Sequence, residues 1–122
     1  MQVMRPNPGS RAGSPSVELE PFEEIPSRWY ALSSLPPCVY FVRMPDGIVK
    51  IGHSGSMAQR MANLGGELLA FIPHATIADE RAVQRRFAHL LDFGREWFRP
   101  GPDLLAYIAE LRAALGLAPA TP

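Results

Sequence analysis

Two short runs rich in β-branched and aromatic residues, 39–43 and 48–52, flank Met44-Pro45-Asp46-Gly47. Pro45 presets φ for a turn and Gly47 can take the left-handed conformation that closes it, so the pattern predicts a β-hairpin. A three-residue loop with a bulge pairs Met44 with Ile48 and sets Val42 opposite Lys50. Tyr40 then lies diagonally from Lys50 on the same face, whereas a four-residue loop would put the two on opposite faces.

A helix is predicted over 57–64, with Met57, Met61 and Leu64 as its apolar stripe. Ser56 and Gln59 match a capping box, and Gly65-Gly66 matches a left-handed stop. Arg60 projects about 40° from the edge of that stripe, so its stem can lie on the core while its guanidinium looks back over the hairpin. The apolar run 67–73, closed by Pro73, is short enough to favour a buried strand.

Thr76 opens a longer helix over 77–91, with Asp79 at the third helical position. Val83, Phe87, Leu90 and Leu91 share one arc of it, while Arg81, Arg85 and His89 line another. A turn at Phe93-Gly94-Arg95 leads into a brief aromatic strand in which Trp97 and Phe98 alternate faces. A last helix over 103–115 has the stripe Leu104, Ile108, Leu111, Leu115 and ends at Gly116. Together these elements make an α/β (α+β) fold, a small central antiparallel sheet begun by a hairpin and flanked by about three helices.

Composition narrows the class. The chain has 122 residues, is 47% hydrophobic and carries a formal net charge of zero, enough for one domain with a real core and too little for two. The single Cys38 excludes a disulfide framework and a cysteine-rich zinc site. With no apolar run of membrane-spanning length and no signal-peptide core, a soluble cytoplasmic protein with no membrane partner is expected. Residues 1–25 are proline-rich, acidic near their end and without period, which reads as a disordered tail. Residues 26–37 read as a linker with a turn of helix around Trp29 and Tyr30, 38–116 as the folded domain, and 117–122 as a second tail.

One residue breaks the pattern. Glu80 projects into the middle of an apolar arc, one turn before Val83 and two before Phe87. A carboxylate on a core face is costly unless compensated. Either it sits at the rim and pairs with an arginine such as Arg60, or it holds a metal ion over the sheet. Glu96 is a second, weaker candidate ligand, since the first residue of an edge strand is usually solvated.

Val39-Tyr40-Phe41, then Lys50-Ile51-Gly52, then Arg60, with Glu80 on a later helix and Glu96-Trp97-Phe98 near the end, resembles the GIY-YIG nuclease superfamily. The likeness is to its short phage and bacterial branch, in which the second motif reads Lys-Ile-Gly and the domain ends in Glu-Trp-Phe. It covers about residues 38–108. The resemblance implies metal-dependent cleavage of a DNA phosphodiester, with one Mg²⁺ or Mn²⁺ and no small-molecule cofactor. It assigns Tyr40 to the attacking water, Arg60 to the phosphate and Glu80 to the metal. Such a small domain usually borrows specificity from a partner protein or an attached domain.

The departures are Lys50 where a second tyrosine is usual, His53 three positions beyond, and Gln84 where branch members carry histidine. Lys50 and His53 are therefore expected at the phosphate, Lys50 as a point charge. Gln84 cannot act as a base. Cys38 replaces the first motif's leading glycine and reads as a small buried residue.

From Cys38 onward nine Lys and Arg face eight Asp and Glu, so there is no bulk pull toward nucleic acid. Arg81, Arg85 and His89, with Arg86 near the edge of their arc and Arg95 and Arg99 beyond, form either a DNA-facing side or an ordinary solvated helix face. Two functions follow. One is an endonuclease. The other is a catalytically degenerate module that binds nucleic acid or a protein partner.

Overall fold

The computed structural model describes residues 32–121. The expected tail at 1–25, and Trp29 and Tyr30 of the linker, lie outside them. Strand β1 (Cys38–Arg43) and strand β2 (Val49–Ser54) form the hairpin, and helix α1 (Met57–Leu64) follows. Strand β3 (Glu67–Pro73) and helix α2 (Ile77–Arg86) come next, then a 3₁₀ turn (Ala88–Leu90). Strand β4 (Leu91–Phe93), strand β5 (Trp97–Phe98) and helix α3 (Pro102–Ala114) complete the domain. The fold is α+β, with a five-stranded antiparallel sheet in the order β3-β1-β2-β5-β4. Among the described residues no helix is long and apolar enough to cross a membrane.

The hairpin has the register its turn dictates. Val42 faces Lys50 and Tyr40 faces Gly52. The Met44 N–H donates to the Ile48 carbonyl at 2.8 Å and the Gly47 N–H to the Met44 carbonyl at 2.8 Å, with Gly47 at φ 91°. Only glycine takes that conformation without strain.

Alternation along β1 and β2 builds two cores. Val39, Phe41, Val49 and Ile51 point to one face, where they bury Val83 and Phe87 around α2, Phe98, and Leu104 and Ile108 of α3. Cys38, Tyr40 and Val42 point to the other, against Met57 and Met61 of α1 and against Leu32, Leu35, Leu68 and Phe71. Each fully buried large apolar side chain contributes about 1.5–3 kcal/mol. Helices on both faces are thus required by the sequence of a sheet that is apolar on both sides.

Four local readings are corrected. At the start of α1 the Ser56–Gln59 box is not formed; the Ser54 hydroxyl accepts the Ser56 N–H at 3.0 Å instead, and Ser56 makes no side-chain cap. The helix expected over 77–91 stops at Arg86, because Leu91–Phe93 leave it to pair with β5 as the sheet edge. Arg99 holds that departure, donating from its backbone to Leu90 and from its guanidinium to the carbonyls of His89 and Leu91. Glu96 consequently lies in a turn, and β5 is an interior strand. Finally, 117–121 is not a free tail. Arg112, buried on α3, donates to the Ala118 carbonyl and the Leu69 carbonyl at 2.7 Å each, and Leu117 and Ala120 pack on the cores.

The start of α2 does follow its sequence. Thr76 and Asp79 form a reciprocal capping box. The Thr76 N–H, then its hydroxyl, hold the Asp79 carboxyl below the usual carboxylate range.

Candidate functional site

Strand β5 is only two residues long, so it covers Val49 and Lys50 of β2 and, among the described residues, leaves that side of the strand open beyond Ile51. The site forms at this notch. Tyr40 reaches it by crossing its cross-strand partner Gly52: a Cβ at Gly52 would stand 2.5 Å from the Tyr40 hydroxyl and 2.7 Å from Cζ. Real Cβ contacts do not come that close, so the glycine is the passage for the tyrosine ring.

Arg60, exposed on α1, carries its guanidinium carbon 5.9 Å from the Tyr40 ring centroid. Among the described residues it makes no ion pair. It opens onto a hollow of about 430 Å³ whose other walls are Ser54, Gly55, Ser56, Gln59 and Asn63. Hydroxyls, amides and a guanidinium in one place suit an oxyanion.

Glu80 comes from the opposite face, one turn above buried Val83, and is half-buried. It does not pair with Arg60. Its nearest partner is Gln84, one turn on, whose Nε2 donates to the Ile51 carbonyl at 2.9 Å and reaches Glu80 Oε2 at 3.4 Å. The amide thus satisfies the carbonyl that the short β5 leaves open, and in doing so ties Glu80 to the sheet edge.

Burial pushes the Tyr40 phenol up to about 12; the Arg60 charge opposes this, while Glu96, Glu80 and buried Cys38 add to it. Tyr40 therefore keeps its proton at neutral pH and offers an O–H donor. Cys38 is likewise pushed up to about 12 by burial and is no nucleophile.

The other expected residues are placed differently. Lys50 stands on the Tyr40 face, but its Nζ pairs with Glu96 Oε1 at 2.9 Å and lies 4.9 Å from the Trp97 ring centroid. Its charge is already answered, and Glu96 is answered by it. His53 shares a face with Val39, and its Nε2 bonds the Ala75 carbonyl at 2.8 Å, which makes it a strut between β2 and the loop before α2. Of the arginine set, Arg81 and Arg85 line a hollow of about 400 Å³ together with Arg95, Gln84 and an apolar floor of Ala88, Leu91 and Phe98. Arg86 turns away to stack on Tyr107 at 4.5 Å, and His89 pairs with Asp103 at 2.7 Å.

The donor set can be weighed against a metal. Among the described residues no three of His, Cys, Asp and Glu cluster. Mg²⁺ asks for less, since it takes one or two carboxylates and keeps its waters. Glu80, half-buried with no cation beside it among the described residues, fits that requirement. Glu96 is held by Lys50.

Sequence reasoning missed two members. The hairpin register already set Gly52 opposite Tyr40, so its need to be glycine was legible. Gln84 was noted only for what it cannot do, because its acceptor Ile51 is 33 residues away. No family model, curated protein or solved structure matches the chain.

Proposed function

We propose that this chain is a divalent-metal-dependent DNA endonuclease of the GIY-YIG type. The observation that carries the reading is that the Arg60 guanidinium carbon stands 5.9 Å from the Tyr40 ring where that ring crosses Gly52, next to the Ile51 carbonyl whose Gln84 donor also reaches Glu80. A cation beside a protonated phenol, with a carboxylate tied to the same sheet edge, suits phosphoryl transfer, in which positioning and electrostatics supply most of the rate.

Arg60 presents a guanidinium with no acidic partner among the described residues, ready for two parallel bonds to a phosphate and for the charge that builds on it. Tyr40, held neutral, offers its hydroxyl as a hydrogen-bond donor that positions the reacting groups. Glu80 would hold the metal, with Gln84 fixing its direction. When bound, Mg²⁺ polarises a phosphoryl oxygen and the leaving group. DNA approaches along the sides lined by Arg60 and by Arg81, Arg85 and Arg95, and a partner protein would add specificity.

The Lys50–Glu96 pair favours a second reading. It fills the place of the second-motif tyrosine with a neutralised cation, as expected of a catalytically degenerate module that binds nucleic acid or protein. Supercoiled plasmid separates the two. Mg²⁺- or Mn²⁺-dependent nicking by the wild type, abolished by EDTA and by Glu80→Ala, supports the endonuclease. Plasmid and branched DNA left intact by well-folded protein supports the module.

A further inference from the structure

The Tyr40 face of the sheet carries a second feature beyond the notch. Opposed residues of antiparallel strands share a face, and the pairs Val42–Lys50, Lys50–Trp97 and Trp97–Phe93 run in register across β1, β2, β5 and β4. The last three form a continuous stack. Lys50 lies over the Trp97 ring at 4.9 Å, and Phe93 lies nearly parallel to it, with centroids 5.7 Å apart and planes 8° from each other.

Phe93 ends this stack and is 58% exposed. It belongs to neither core. An exposed aromatic on an edge strand is a liability unless something covers it. Trp97 backs one face of the ring, which lowers the ordering cost of presenting the other. A flat, exposed and pre-oriented aromatic face matches a nucleobase.

We infer that Phe93 is a stacking platform for an unpaired base, and that the substrate strand runs from the Tyr40 notch along Lys50 and Trp97 to Phe93. The substrate class is DNA with single-stranded character next to the cut. Paired bases in a duplex cannot offer a free face to the ring. The inference rests on the reading of DNA as the substrate, and is independent of whether the strand is cut.

The test is binding in EDTA, by fluorescence anisotropy of a labelled oligothymidylate and of a duplex hairpin of equal length, with the full chain. The wild type should prefer the oligothymidylate. Phe93→Ala should weaken that complex about tenfold while leaving the duplex unchanged, and Phe93→Trp should keep it tight. Phe93 packs in no core, so Phe93→Ala should retain its thermal midpoint.

Oligothymidylate binding that survives Phe93→Ala, or that Phe93→Leu preserves in full, overturns the platform. So does equal loss for the duplex. Sedimentation showing a wild-type dimer that Phe93→Ala dissolves would overturn it too, in favour of a second copy on this face. Phe93-dependent binding without any metal-dependent nicking leaves the platform standing and removes the endonuclease; nicking with Phe93-independent binding does the reverse.

Discussion

Tyr40 and Gly52, opposite each other in the hairpin, share one volume: the tyrosine hydroxyl occupies the space where a side chain at position 52 would begin. Gly52→Ala should therefore drive the ring from the notch. Overpacking of this kind costs about 1–3 kcal/mol, so the variant should fold with a lowered thermal midpoint. Nicking should fall much further than stability does, and Tyr40→Phe, which keeps the ring and removes the hydroxyl, should keep the midpoint while losing activity.

The buried phenol also sets an alkaline limit. A folded pKa of about 12 lies above the ordinary tyrosine value of 10.0, so the unfolded chain ionises first. The stability this group contributes is intact below pH 10 and is lost as pH rises from 10 toward 12. Titration of the native protein at 295 nm should show a late tyrosinate step near 12 that Tyr40→Phe deletes.

Gln84 should act on metal use more than on folding. Gln84→Ala frees Glu80 and leaves the Ile51 carbonyl open at the sheet edge. Losing a residue that orients a ligand typically costs about 10–100-fold in metal affinity or activity. The Mg²⁺ concentration for half-maximal nicking should rise accordingly, while urea unfolding moves little. An unchanged Mg²⁺ dependence would reduce Gln84 to an edge filler.

Glu96 restrains Lys50. Their pair is partly exposed and adds at most about 1 kcal/mol to stability. Glu96→Ala should release the ammonium toward phosphate, tightening DNA binding and steepening the salt dependence by about 0.9 per phosphate gained. Adding Lys50→Ala to that variant should cancel both effects.

How much of this could be read from the chain depends on how local each cause is. Pro45, Asp46 and Gly47 fix the hairpin register by themselves, and Thr76 with Asp79 fixes the start of α2. Glu80 stood out because periodicity alone placed a carboxylate among Val83 and Phe87. The end of α2 was illegible for the opposite reason. Leu90 and Leu91 continue the helical stripe, yet pairing of Leu91 with Phe98 and the Arg99 bonds to three carbonyls draw the chain into the sheet. His53 and Gln84 are polar residues whose acceptors, Ala75 and Ile51, come from distant segments, so spacing says nothing of them. The Lys50–Glu96 pair is equally hidden, because the partners lie 46 positions apart and Glu96 comes from a turn where the sequence predicts the first residue of an edge strand.

The most direct measurement is the nicking rate of supercoiled plasmid, with saturating Mg²⁺, by the wild type, Arg60→Ala, Glu80→Ala and the double variant. Residues that act as one catalytic unit are strongly non-additive. Each single substitution should remove nearly all the activity, and the double variant should be no slower than either. Nicking that persists in the double variant at the wild-type rate would contradict a site built on Tyr40, Arg60 and Glu80.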